Sequence, residues 1–145
     1  MTKLYVVRIR PEAKLPFKAH SHDSGFDLHY CGSGELIIPA GERRSVPTGL
    51  RMTTDPGYFI KLESRSGSAF KKGIELLCGV GDLGYKEEYF LCLHNSDSSE
   101  EFRIQPGERV AQAVILPLPE VEVREVTELP DWGCLRNGGL GSSGK

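Results

Sequence analysis

At 145 residues the chain is long enough for one domain of ordinary size with its own core. Hydrophobic residues make up 39% and charged residues 26%, the mix of a soluble globular protein and not of a disordered one. A net charge of −2 supplies no global attraction to nucleic acid or anionic membrane, so any polyanion must be met by a local site.

The start, MTKLYVVRIR, alternates with charge and lacks the apolar block of a signal peptide, and no apolar run approaches the roughly 20 residues that span a bilayer. An intracellular, cytoplasmic setting is expected, with Cys31, Cys78, Cys92 and Cys134 as reduced structural thiols. No C-x-x-C pair is present, and His20-x-His22 has no Cys or His partner nearby, which argues against zinc.

Helical periodicity is scarce. Short β-branched and aromatic runs alternate with Gly, Pro and Asp punctuation. In chain order they predict strands at Lys3–Arg10, Phe26–Tyr30, Glu35–Ile38, Arg43–Pro47, Tyr58–Glu63, Ile74–Cys78, Tyr89–His94, Glu101–Ile104, Arg109–Leu116 and Val121–Val126. One helical turn is predicted at Ser68–Lys72. Many short strands with regular turns indicate an all-β sandwich, jelly roll or barrel. Leu129-Pro130-Asp131 marks the end of the body, which divides the chain into a β domain, 1–131, and a flexible Gly- and Ser-rich arm, 132–145.

Four stretches carry the chemistry. In HDSGFDL, Asp23 and Asp27 sit near a turn, where either holds a hydrated cation or serves as an Asx turn residue. In ESRSGSAF, Arg65, Ser66 and Gly67 stand where a strand passes into a helical turn, offering a guanidinium, a hydroxyl and free backbone N–H groups to an anion. In GVGDLGYKEEYF, three glycines surround Asp82 in a hairpin, with Tyr85 following. A buried or half-buried carboxylate there can serve as a general base on water, and the bland alternative is a Gly-Asp turn with a core tyrosine. In PGERVAQAVILP, Gln112 needs a partner if it points inward. The last stretch, GGLGSSGK, matches part of a phosphate-binding P-loop. That motif needs a strand–loop–helix unit, which an all-β frame does not supply.

Taken together, these stretches resemble the trimeric dUTPase family, deoxyuridine triphosphate nucleotidohydrolases, from about Ala19 to Lys145. Five motifs appear in order. They are Asp23-Ser24-Gly25-Phe26-Asp27-Leu28, Arg65-Ser66-Gly67-Ser68-Ala69, Gly79-Val80-Gly81-Asp82-Leu83-Gly84-Tyr85, Gly107-Glu108-Arg109-Val110-Ala111-Gln112, and Arg136 through Gly144. The resemblance implies a dUTPase-like jelly roll, a homotrimer with shared sites, and hydrolysis of dUTP to dUMP and pyrophosphate. It makes Asp82 the general base on a water attacking the α-phosphorus. It gives the uracil edge to the backbone of Gly79, Val80 and Gly81, with Phe90 in the same set, and the deoxyribose to Tyr85. It gives the phosphates to Arg65, Ser66, Gly67 and Gln112, and closure of the site to Arg136, Leu140, Gly141, Ser142 and Ser143. Mg²⁺ is implied on phosphate oxygens and waters, with Asp27 touching a water.

The chain departs from the family at five places, one of them Ser143 for a threonine, which keeps the hydroxyl. Leu140 stands for a stacking phenylalanine, Arg136 lies one residue nearer to it, Gly81 replaces a branched aliphatic, and Glu87 replaces a glycine. Gly81 is expected to loosen the hairpin, and Glu87 and Glu88 to be surface carboxylates. Two alternatives stay open: a binding or regulatory module with weakened catalysis, and a relative with shifted base preference such as dCTP.

Overall fold

The computed structural model describes residues 1–133, which form eleven strands and one short helix. The strands are β1 (Leu4–Arg8), β2 (Phe26–His29), β3 (Leu36–Ile38), β4 (Arg43–Pro47), β5 (Leu50–Thr54), β6 (Tyr58–Ser64), β7 (Ile74–Leu77), β8 (Val80–Gly81), β9 (Phe90–Asn95), β10 (Phe102–Ile104) and β11 (Arg109–Pro117); α1 is Ser66–Lys72. The all-β reading holds. The helix starts two residues earlier than the sequence pattern suggests, so Ser66 and Gly67 belong to its first turn.

All pairings are antiparallel. They make a four-stranded sheet, β2-β11-β6-β8, a three-stranded sheet, β4-β9-β7, and two ribbons, β1-β5 and β3-β10. Alternation fixes which face is buried. In β9, Leu91, Leu93 and Asn95 point inward, while Phe90, Cys92 and His94 do not. Leu28, Ile38, Val46, Leu50, Ile60 and Ile104 complete the centre of the core. The buried Asn95 amide donates to the carbonyls of Ile38 and Glu100, at 3.0 and 2.8 Å, and so ties the end of the central strand of one sheet to a neighbouring ribbon.

Three strand expectations change, and the first is the short β8, which lies in what the sequence pattern gives as a hairpin loop. Strand β5 is not among the predicted strands, although Leu50, Met52 and Thr54 alternate inward. Conversely, Val121–Val126 forms no strand; its residues are exposed and pair with nothing in β1–β11. Alternation marks a segment able to pair, but pairing needs a second edge. No helix among the described residues is long and apolar enough to cross a membrane.

Candidate active site

Two separate concavities collect the predicted residues. The first, about 420 Å³, lies where β2, β11 and the β6–α1 junction meet, and Asp27, Arg65, Ser66, Gly67, Arg109 and Gln112 line it. Arg109 and Gln112 are three apart and in a regular strand would face opposite sides. A register shift in β11 against β2 corrects this: Arg109 pairs with His29 and Ala111 with Leu28, leaving Val110 as an extra residue. Arg109 and Gln112 therefore reach the same cleft. Arg109 lines this cleft although sequence reasoning leaves it out of the site, because nothing in GERVAQ announces a bulge.

Charge in the cleft centres on Asp27. One carboxylate oxygen accepts from Arg65 Nε at 3.1 Å and the other from Arg109 Nη1 at 3.2 Å. Two guanidiniums thus share one carboxylate, and a positive charge is left over for an anion. Gln112 finds its partner: Nε2 donates to the Ser64 carbonyl at 3.0 Å. Its Oε1 fills the space where a Cβ on Gly25 would stand, so Gly25 is required here by close approach. Ser66 and Gly67 open α1, behind an extended N-cap Arg65 with no side-chain cap. Their backbone N–H groups have no acceptor within the helix.

Beside this cleft lies His29, 5% exposed, with Nδ1 unpartnered among the described residues and its ring stacked on Phe17 at 5.6 Å. Burial, then the charge of Lys14, lowers its pKa below the ordinary histidine value, with Arg109 and Arg65 adding and Asp27 opposing.

The second concavity is a pocket of about 170 Å³ with Val80, Gly81, Asp82, Tyr85, Tyr89 and Phe90 on its walls. Strands β7 and β9 form a hairpin, as expected, but the segment between them crosses over and β8 pairs with β6. Leu62 N–H donates to the Gly79 carbonyl at 2.7 Å, and a Cβ on Gly79 would meet the Leu62 carbonyl at 2.5 Å. Only glycine lets the segment lie this close. Asp82 then follows β8 in an exposed turn, closed by Tyr85 N–H to the Asp82 carbonyl at 3.0 Å. The expected buried or half-buried carboxylate is therefore corrected to an exposed one, because the turn carries Asp82 off the sheet. Tyr85 is likewise 42% exposed and not a core residue.

The neighbouring carboxylates split. Glu87 is exposed, 3.6 Å from Arg51. Glu88 is buried, contrary to the surface role expected: one oxygen takes Arg10 Nη2 at 2.9 Å and the other Gly49 N–H at 2.8 Å. Gly81, expected to loosen the hairpin, is closely packed. The Tyr89 ring occupies the space beside it, and a Cβ on Gly81 would lie 2.7 Å from the Tyr89 hydroxyl oxygen. That hydroxyl is buried and has no partner among the described residues. Burial, then the charges of Tyr85 and Asp82, raises the phenol's pKa.

No residue lines both concavities. Among the described residues no three His, Cys, Asp or Glu side chains cluster as a metal cage. The arm positions Arg136, Leu140, Gly141, Ser142 and Ser143 lie outside the described residues.

Comparison with known proteins gives one consistent set. The sequence profile of the dUTPase family matches residues 11–144. A deoxyuridine 5'-triphosphate nucleotidohydrolase of Nautilia profundicola is 41% identical over 147 residues, covering 99% of each chain. One of Hydrogenobaculum is 41% identical over 144 residues, covering 98% of each. Among solved structures, the dUTPase of Staphylococcus bacteriophage 80alpha with dUPNHPP superposes with a TM-score of 0.87 at 25% identity, over 99% of each chain. The phage phi11 dUTPase, described with a structural Mg(II) ion, gives 0.80 at 21% identity, over 89% of this chain and 99% of that one.

Proposed function

The chain belongs to the dUTPase family, and on that premise we propose that it hydrolyses dUTP to dUMP and pyrophosphate, with water attacking the α-phosphorus. The observation that carries this reading is the cationic cleft, in which Arg65 and Arg109 share Asp27 beside the free N–H groups of Ser66 and Gly67. That arrangement suits a chain of phosphates: charge-assisted hydrogen bonds come from side chains, and fixed dipoles from the helix start.

The aromatic pocket takes the nucleoside. Backbone groups of Gly79, Val80 and Gly81 are held against β6, so they read the uracil edge by donor and acceptor pattern, with Phe90 lining the same pocket. Tyr85 lies against the deoxyribose and leaves no room for a 2′-hydroxyl. Asp82 accepts a proton from the attacking water; its exposed turn leaves it open to a substrate held by other elements.

Two separate concavities support a site assembled between copies, as in a homotrimer. Tyr85 and Asp82 of one copy then face the cleft of another, and the exposed alternating segment Val121–Val126 has an edge to meet. The arm residues Arg136, Leu140, Gly141, Ser142 and Ser143 close over the ligand in this reading.

The donor set suits magnesium carried on phosphates. Asp23 and Asp27 alone bring carboxylates to the cleft, Asp27 is already paired, and an octahedral cage of protein oxygens is not available among the described residues. When bound, the ion offsets phosphate charge, with Asp27 accepting from one of its waters.

Product analysis with dUTP, dCTP, dTTP and UTP, with and without Mg²⁺, tests the reading. Pyrophosphate release from dUTP alone is expected. Release from dCTP, or none at all, would reject it in favour of a shifted base preference or a binding module.

A further inference from the structure

Tyr89 and Gly81 belong to one packing unit beneath the nucleoside pocket. The Tyr89 ring sits 5.3 Å from the Tyr85 ring, centroid to centroid, at 87°, an edge-to-face contact. The Tyr85 hydroxyl donates to the Glu88 carbonyl at 2.8 Å, which fixes the far end of the ring. Tyr89 is anchored far more firmly. Its N–H donates to the Leu50 carbonyl at 2.9 Å, its carbonyl accepts from Thr48 Oγ1 at 2.6 Å, and its side chain is 3% exposed. The buried hydroxyl has no partner among the described residues, a costly arrangement. The chain nonetheless keeps a tyrosine here and leaves residue 81 without a Cβ to make room for it.

We infer that Tyr89 is a positioning residue for sugar selection: its ring holds Tyr85 upright against the deoxyribose, so that a ribonucleotide is excluded. The contact is made by the ring and not by the hydroxyl. Tyr85 touches the sugar, and Tyr89 acts through Tyr85. This inference rests on the reading of Tyr85 as the residue that bars a 2′-hydroxyl.

The test compares kcat/KM for dUTP and UTP in the full-length protein. Tyr89→Leu removes the ring and is expected to lower the dUTP/UTP ratio about 10-fold, the upper range of an edge-to-face contact. Tyr89→Phe keeps the ring and is expected to leave the ratio unchanged, with a Tm equal to or above that of the parent. The double variant Gly81→Val/Tyr89→Leu refills the space without restoring the ring edge, so it separates lost packing from lost positioning; its ratio is expected to stay low. Tyr85→Ala is the reference. If Tyr85→Ala keeps the parent ratio, the reading of Tyr85 fails and the inference with it. If Tyr85→Ala loses discrimination while Tyr89→Leu keeps it, or if Gly81→Val/Tyr89→Leu restores it, the inference alone is overturned.

Discussion

Arg10 and Glu88, 78 residues apart, meet with Nη2 2.9 Å from Oε2, and the second Glu88 oxygen receives the Gly49 N–H. Glu88 is thus an internal strut joining the N-terminal segment, the β4–β5 turn and the loop that carries Asp82 and Tyr85. The Glu88 side chain is 10% exposed and that of Arg10 35%, so the pair is only partly screened. Glu88→Ala leaves the buried Gly49 N–H and the Nη2 of Arg10 without their acceptor, Nη1 keeping the Cys31 carbonyl, and is expected to cost about 1–3 kcal/mol. Glu88→Gln keeps an acceptor for Gly49 and should cost less. Urea unfolding of both variants gives the comparison, and equal losses would contradict a role for the Gly49 contact.

Asp82→Asn removes the proton acceptor without changing the shape of the turn. Turnover of dUTP is expected to fall by roughly 10²–10⁴-fold, the range of general-base catalysis. Binding of an uncleavable dUTP analogue should stay within a few-fold of the parent. Stopped-flow proton release and titration of the analogue separate the two effects, and undiminished turnover excludes Asp82 as the base.

Asp27 keeps Arg65 and Arg109 together, since its carboxylate bridges both. Asp27→Asn places two guanidiniums side by side with no anion between them. A fall in kcat/KM of about 10-fold or more is expected, together with a higher Mg²⁺ concentration for half-maximal rate. Activity measured across a Mg²⁺ titration tests this; an unchanged midpoint would place Asp27 outside the metal's hydration shell.

The pKa of His29 is lowered first by burial and then by Lys14, with Arg109 and Arg65 assisting and Asp27 opposing. The unfolded chain therefore takes up a proton near the ordinary histidine value of about 6.5, while the folded chain does not until lower pH. Stability attributable to His29 is complete above that value and is lost as pH falls from it towards the lowered one. His29→Gln should flatten the decline between about pH 6.5 and 5, where most carboxylates still stay ionised. Thermal unfolding of both proteins across that interval is the measurement, and parallel curves would refute it.

Much of this site can be read from residue order alone, and what cannot has physical causes. The family resemblance groups Arg65, Ser66, Gly67 and Gln112, and the fold brings all four to one cleft, the first three at the β6–α1 junction and Gln112 from within β11. Arg109 escapes, since a bulge depends on the partner strand and leaves no local signature. Glu88 reads as surface from EEY, yet an arginine 78 residues away and a glycine N–H bury it. Strand β5 is hidden by its nearness to β4 across a two-residue link. Val121–Val126 has the alternation of a strand without a sheet edge in its own described chain.

The same limit applies to Gly81, whose meaning appears only beside Tyr89. On its own, a glycine in a strand signals freedom, and Gly81→Ala would then stabilise by reducing that freedom in the unfolded chain. The packed ring reverses the sign. A Cβ at 81 would stand 2.7 Å from the Tyr89 hydroxyl, 2.8 Å from its Cε1 and 3.1 Å from the Ile60 carbonyl, and Tyr89 is buried, with its backbone fixed at both N–H and carbonyl. Overpacking of this kind costs about 1–3 kcal/mol. Gly81→Ala should therefore destabilise by that amount in the parent but by less in a Tyr89→Leu background, where the ring is gone and only the Ile60 carbonyl, 3.1 Å away, still crowds the Cβ. The four proteins of this cycle, compared by denaturant midpoint, are expected to show an interaction of at least about 1 kcal/mol. Additive effects would mean that the hairpin yields locally and that the glycine is there for freedom after all.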